Sequence, residues 1–551
     1  MIPVSWIHRL GQLSRGRTAR AFVRAAGDPE AAQRSRLQHI LRANARTTFG
    51  REHGFDTLRG PADYAARVPL TTPQEHQRWV DRVMHGEAHA LTHERPVYYV
   101  QTTGSTGVPK HVPITPSYRV EFQRALHASL WHYHRRFPDA YRRQVLYFVG
   151  SAKEGTAPDG CPIGTMSGYT FSSLPSWVQA LYAWPAALFR LRDQPTRTWL
   201  ALQLAVQAGP SLCGTIFPLS LVLLFRALER HADELAYHGE RGTLPEHLVL
   251  TDEERRFFGS LVQARPDRAA GLRRGAGGSL VSHTFPELRL VACWTGATAG
   301  LYVPELRAWL GEEIALRDAV YSAAEGWMNV PMGEEAPGGP VCVTGHYLEF
   351  IPEAAYEAGE TSTVGVHALQ DGARYLVVLT TSGGAYRYVL GDVVEVCGRF
   401  ERTPCIRFVR KIGAHCNLAG EKLDEAHVNE AVGAALAAMG PRVTWFCLVP
   451  YPGDVPGYAL HVEPTSAPGD EAAWRADLAH RVDEGLGAAA RDYRSARAGG
   501  SLGPVRVRLV APGSTERLRA RLTSEGVAVA QQKARHLLDR EDALPRELRE
   551  G

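Results

Sequence analysis

Paired cysteines are missing from this sequence. Its eight cysteines, Cys161, Cys213, Cys293, Cys342, Cys397, Cys405, Cys416 and Cys447, form no CxxC pair, so neither a zinc ribbon nor a disulfide framework is indicated, and a reducing, cytoplasmic compartment is expected. An excess of either charge is also missing. With 62 basic against 58 acidic residues and a net charge of +4, there is no concentrated basic face for a phosphate backbone, and no nucleic-acid partner is expected. No repeat of fixed period and no low-complexity tract is found. The one long stretch without a charge, Trp199 to Phe225, is broken by Gly209-Pro210, Gly214 and Pro218. Those breakers predict a buried helix, a short strand near Leu212 to Ile216 and a second helix opened by Pro218, and no membrane partner is expected. Acidic residues are absent before Asp28, and the arginines of Met1 to Gly27 superficially resemble a transit peptide. No cleavage pattern accompanies them, and apolar residues at Ala21, Phe22, Ala25, Leu37, Ile40 and Leu41 predict a basic surface helix instead.

What is present indicates a globular chain with more than one core: 551 residues, with 53 glycines and 35 prolines spread along them. Short apolar runs (Val145–Val149, Leu288–Ala292, Tyr375–Thr380) alternate with helical patterns (Thr198–Ala208, Pro304–Leu310), which predicts an α/β fold. After Arg410 the texture changes to a helix over Asp424–Met439, a strand over Val443–Val449, a polar loop over Pro464–Asp470, an amphipathic helix over Glu471–Arg491, a strand over Val505–Val510 and a last helix. The expected layout is a large domain over 1–409, a hinge at 410–413 eased by Gly413, and a small α+β lid over 414–551.

The sharpest motif is Thr102-Thr103-Gly104-Ser105-Thr106-Gly107-Val108-Pro109-Lys110, directly after the apolar run Val97–Val100. A hydroxyl-rich, glycine-containing loop after a strand can turn N–H and O–H groups onto phosphate oxygens. It is not a Walker A loop, because Pro109 stands where the second glycine of that motif is required. It resembles the phosphate loop of the adenylate-forming superfamily of acyl-CoA synthetases, adenylation domains and luciferases. Tyr321-Ser322-Ala323-Ala324-Glu325-Gly326 is similar to that superfamily's second block, whose glutamate holds Mg2+ and whose tyrosine packs near adenine. Tyr386-Arg387-Tyr388-Val389-Leu390-Gly391-Asp392 is similar to its third block, whose aspartate accepts from the ribose hydroxyls. Three blocks in one order are much harder to obtain by accident than one.

Within the superfamily the chain resembles the Gretchen Hagen family of acyl-acid amido synthetases. The resemblance rests on Asn44–Phe55, on the long form Tyr386–Val394, on Gly420-Glu421-Lys422-Leu423 and on the ending Val527–Lys533. It implies ATP and Mg2+, a small carboxylic acid and an amine or amino acid as partners. It gives Thr103, Gly104, Ser105, Thr106, Gly107, Thr298, Tyr321, Ser322, Asp392 and Arg410 as nucleotide contacts, Glu325 as the metal ligand, and Lys110 and Lys533 as phosphate-facing cations. Ala323 and Ala324 depart from the family, which more often has serines there, and the phosphate loop is closer to the acyl-CoA ligases. An acyl-CoA or carrier-protein ligase and a non-catalytic nucleotide-binding relative therefore stay open at this point. The acyl pocket is expected between Pro218–Leu228 and Trp294–Tyr302. For the base that deprotonates the amine, His111, His346 and His367 are candidates by chemistry only. The oligomeric state is not legible.

Overall fold

The computed structural model describes residues 4–102, 110–150, 152–191, 193–275, 280–412, 415–439, 443–464, 468–524 and 536–549. Within the described residues these divide into two compact units, one over 4–102 and 111–410, the other comprising Lys110 and 411–549.

In the first unit, local chemistry sets the helix starts. Asp28 caps Pro29–Asn44 by accepting from the Ala31 N–H, and Thr72 forms a capping box with Glu75 at the start of Pro73–Met84. Thr115 caps Pro116–Arg136 through the Tyr118 N–H. Each cap is followed by a proline at the first helical position, where its missing N–H costs nothing. The charge-free stretch folds as its breakers predict. Gln194–Ala208 stops at Gly209, which takes φ +55°; Leu212–Gly214 is a short strand; and Pro218 opens Leu219–Arg230. No described helix is long and apolar enough to cross a membrane.

The strand Leu212–Gly214 lies inside a parallel sheet whose described strands run Val145–Tyr147, Leu212–Gly214, Leu290–Cys293, Ala315–Asp318, with Val145, Leu212, Leu290 and Ala315 in register. Parallel pairing needs crossovers, which the intervening helices supply. A second sheet is ordered Lys110–Ile114, Tyr98–Thr102, Pro162–Gly164, Gly155–Thr156. A third orders Gly339–Pro340, Thr403–Lys411, Tyr388–Phe400, Arg374–Thr380, Tyr347–Pro352 and Val364–Gly365. Phe350, Val377, Leu379, Val394 and Ile406 of this third sheet belong to one buried apolar cluster. The predicted α/β class is thus what the chain adopts.

The second unit sets the helices Glu425–Met439 and Glu471–Ala489 on a sheet ordered Val443–Tyr451, Gly457–Pro464, Arg506–Leu509, around Val428, Val432, Leu460, Val462, Leu478 and Val482. The central strand Gly457–Pro464 is absent from the sequence reading. His461 and Glu463 alternate like solvent-facing residues there, yet the whole strand is buried.

A buried polar cluster joins distant parts of the first unit. The Glu121 carboxylate accepts from the Arg36 guanidinium, the Ser382 hydroxyl, the Ser382 N–H (3.0 Å) and His346 Nδ1 (2.9 Å). Burial holds Arg36 down to about 9 and His346 down to about 3. Removing one member of such a group strands the others without solvent. Glu121→Gln is therefore expected to cost about 3–5 kcal/mol, read as a lowered urea midpoint with unchanged m; a midpoint equal to the parent's refutes the role.

Candidate active site

The second sequence block folds as a tight hairpin. Ser322–Ala323 pairs with Gly326–Trp327, with Gly326 opposite Ala323, so Ala324 and Glu325 form its tip. The glycine after the glutamate has a steric cause: a Cβ at Gly326 would lie 2.9 Å from His346 Cδ2. The tip is fixed from a second side by the Tyr118 hydroxyl, which donates to the Ala324 carbonyl (2.5 Å). Tyr321 is anchored by its own N–H, which donates to Asn329 Oδ1 (2.8 Å), and its ring lies 5.6 Å from that of Phe408.

The third block opens the long strand Tyr388–Phe400. Between Leu376 and Val378 of the neighbouring strand the register shifts, so that Val377 faces the stretch Leu390 to Asp392. Gly391 takes φ +77° within this bulge, a left-handed conformation that favours glycine. Bulges turn side chains out of a ladder, and here the consequence is a crosswise match. The Tyr321 hydroxyl donates to Asp392 Oδ2 (2.7 Å), and the Tyr388 hydroxyl donates to Glu325 Oε1 (3.0 Å). Each block thus contributes one tyrosine and one carboxylate four residues apart, and each tyrosine holds the other block's carboxylate. The Glu325 oxygen Oε2 has no partner among the described residues.

The arginine of the third block is structural. Arg387 takes φ +45°, costly for a side-chain-bearing residue. It is held there by Glu349 (3.2 Å), the carbonyls of Ala65 (2.9 Å) and Val68 (2.8 Å), and the Thr363 hydroxyl (3.0 Å). Burial pushes the Glu349 carboxyl up, with Arg387 opposing that shift.

Other predicted residues are placed differently. Ser322 is half-buried on the hairpin. Arg410 is taken up by Glu353 (2.6 Å) and Glu357 (3.3 Å). His346 belongs to the Glu121 cluster and is fully buried, which removes it as a proton carrier, while His367 is exposed and burial lowers His111. Thr103, Gly104, Ser105, Thr106, Gly107, Gly413 and Lys533 lie outside the described residues, as does the Thr298 side chain. Lys110 begins the strand that follows the loop. The helix Leu219–Arg230, expected beside the acid, spends Leu221, Val222, Phe225 and Leu228 on the core. A cavity of about 220 Å3 opens between Pro116–Arg136 and Met166–Ser172, lined by Ile114, Tyr118, Phe122, Met166, Tyr169 and Leu174 among others. Phe122 lies against Trp327 of the hairpin, ring centres 4.0 Å apart.

Residues 18–314 match the family model of the GH3 family N-terminal domain, 339–411 that of its central domain and 426–542 that of its C-terminal domain. The chain belongs to the GH3 family. Among its GH3 relatives, the indole-3-acetic acid-amido synthetase GH3.8 of Oryza sativa subsp. indica is 25% identical over 538 residues, spanning 92% of this chain and 87% of the relative. The jasmonoyl-L-amino acid synthetase JAR6 of Nicotiana attenuata is 24% identical, spanning 91% and 90%. A solved GH3.15 acyl acid amido synthetase in complex with 2,4-DB shares the fold, with TM-score 0.66 and 21% identity over 97% of this chain and 95% of that one.

One further side chain of this GH3 site was not legible. His76, on the capped helix Pro73–Met84, sets its ring edge-on against Tyr388 at 5.3 Å. Burial holds it down to about 4. Because its folded value lies below the unfolded value near 6.5, its neutral form favours folding above about pH 6.5 and that contribution is lost as pH falls toward 4. The loss is expected to reach about 3 kcal/mol. His76→Phe should flatten the stability profile between those pH values in urea titrations; a slope identical to the parent's rules the assignment out.

Proposed function

We propose that the chain is an ATP-dependent acyl-acid amido synthetase, which adenylates a small aryl or indolyl carboxylic acid with release of pyrophosphate and then transfers the acyl group to an amine or amino acid. The observation that carries this reading is the crosswise match of Tyr321 and Glu325 with Asp392 and Tyr388, in a chain whose relatives are named for amide formation along nearly its whole length. That kinship favours amide formation over thioester formation.

The chemistry follows from charge. A carboxylate is a poor electrophile, since its electrons are delocalised and its leaving group would be oxide. Attack of its oxygen on the α-phosphorus of ATP expels pyrophosphate and leaves a mixed anhydride; the amine nitrogen then attacks the acyl carbon, AMP departs, and the nitrogen gives up a proton. Both the first attack and the departure concentrate negative charge, which fixed donors and cations must offset. Asp392 suits the ribose hydroxyls, because the bulge presents it and Tyr321 fixes one of its oxygens. Glu325 fits magnesium, which is usually held by one or two carboxylates together with substrate phosphates rather than by an all-protein cage. When bound, the ion would neutralise charge on the phosphates. Thr103, Ser105 and Thr106, with Gly104 and Gly107, are assigned to the phosphates, with Lys110 beside them, and Thr298 and Ser322 to the nucleoside side.

The acid is assigned to the 220 Å3 cavity, whose apolar and aromatic lining beside the Glu325 hairpin favours a flat ring over a long chain. A pyrophosphate-release screen over aryl, indolyl, fatty and jasmonate-like acids, followed by mass spectrometry with mixed amino acids, tests the assignment. Turnover confined to long-chain acids, or a thioester product, overturns it. A cytoplasmic location belongs to the same reading and is supported by eight free thiols.

Asp392→Asn is expected to raise the KM for ATP about tenfold or more, since hydrogen bonds to a charged acceptor contribute about 1.5–3 kcal/mol; an unchanged KM removes the ribose role. A large domain over 1–409 and a lid over 414–551 turning about 410–413 belong to the same reading; the division between Arg410 and Lys411 supports it, while Lys110 groups with the second unit. Lys533, in the ending that resembles the family's, then serves the α-phosphate from the lid. Lys533→Ala should slow acyl-AMP formation by orders of magnitude yet leave aminolysis of supplied acyl-AMP near normal. Equal damage to both half-reactions in stopped-flow assays excludes that role.

A further inference from the structure

The N-terminal helix Val4–Ala26 carries five arginines, one histidine and no carboxylate. It packs along Pro116–Arg136, whose single acidic residue, Glu121, is already committed to Arg36, His346 and Ser382. The two helices are locked where Gln12 Nε2 donates to the Trp131 carbonyl (2.9 Å). One turn to either side of Gln12 stand His8 and Arg15; one turn to either side of Trp131 stand His127 and His134. Helical spacing therefore brings two seven-residue pairs of basic side chains to one interface. Tyr141 closes the group, its ring 5.3 Å from His8 and 4.7 Å from His134.

The Arg15 guanidinium folds back over Gly11, where an added Cβ would come within 3.2 Å of it. Its charge is felt by His8, His127, His134, Tyr141 and Tyr182. Among the described residues it has no hydrogen bond and no ion pair, and the same holds for hydrogen bonds of the His127 and His134 rings and of the Tyr141 and Tyr182 hydroxyls. Tyr182 also lines a hollow of about 540 Å3 together with Arg143 and Arg265. A largely buried cation without a counter-charge is expensive.

We infer that this cluster is a binding site for a small oxyanion, held by the Arg15 guanidinium with His127, His134 and the hydroxyls of Tyr141 and Tyr182 as further donors. The site is separate from the Glu325 and Asp392 constellation and needs no assumption about the reaction. Arginine's planar fork matches carboxylate and phosphate oxygens alike, so the two ligand chemistries are separated by experiment. The full-length protein is titrated with inorganic phosphate, pyrophosphate or acetate against chloride at equal ionic strength, while histidine ring resonances are followed by NMR and assigned with His127→Asn and His134→Asn. One oxyanion is expected to move the His127 and His134 signals saturably, and Arg15→Met to weaken that binding about tenfold or more. Without the anion, Arg15→Met should melt no lower than the parent, because it removes an unpaired buried charge. Should Arg15→Met fail to fold, Gly11→Val, which fills the space behind the guanidinium, is titrated in its place and must show the same weakening. Ring signals that respond to no oxyanion beyond the chloride control, or that respond equally in the variant, overturn the site.

Discussion

The exchange of hydroxyl hydrogen bonds between two short blocks organises this molecule. Tyr321 with Glu325 and Tyr388 with Asp392 are separated by 62 residues of chain, yet each tyrosine donates to the other block's carboxylate. One partner set sits on a hairpin tip and the other on a bulged strand, so neither carboxylate is correctly placed unless both elements have formed and docked. Two acidic groups brought together would repel each other. Two phenol donors placed between them lower that cost and fix which oxygen of each carboxylate is spoken for. Hairpin and bulged strand thus fix each other's carboxylate.

How much of this was legible follows from what each residue type signals. The glycines and carboxylates of the three blocks stand out because few residues can replace them in a left-handed bulge or a hydroxyl contact. Tyr388 and Arg387 stand out in the sequence only as parts of a pattern, because nothing local shows that one faces Glu325 and the other Glu349 across long stretches of chain. His76 sits in an ordinary amphipathic helix, and its partner Tyr388 lies far along the chain. The strand Gly457–Pro464 was hidden by its own polar residues, since a fully buried strand with His and Glu reads as a solvent face until its partners are known. The apolar run after Pro218 is ambiguous for a related reason: burial on several sides and a pocket wall call for the same residues, and Leu221, Val222, Phe225 and Leu228 are buried.

The Glu121 cluster shows the cost of holding the site from behind. His346 is what Gly326 makes room for, and His346 is itself held by Glu121. The Glu325 hairpin and the buried Glu121 group are therefore two sides of one packing problem. A substitution in either is felt in both, because close-packed interiors pass on displacements of a few tenths of an ångström.

The cavity, by contrast, is only lightly tied to this arrangement. Of its lining, Tyr118 donates to the hairpin and Phe122 leans on Trp327, while Met166, Tyr169 and Leu174 belong to a neighbouring helix and the turn after it. Inheritance can therefore treat the two halves at different speeds. Descendants of one duplicated gene are free to resculpt the cavity wall, residue by residue, without undoing the hold that hairpin and bulged strand have on each other. A lineage built this way can vary one wall long before it disturbs the other.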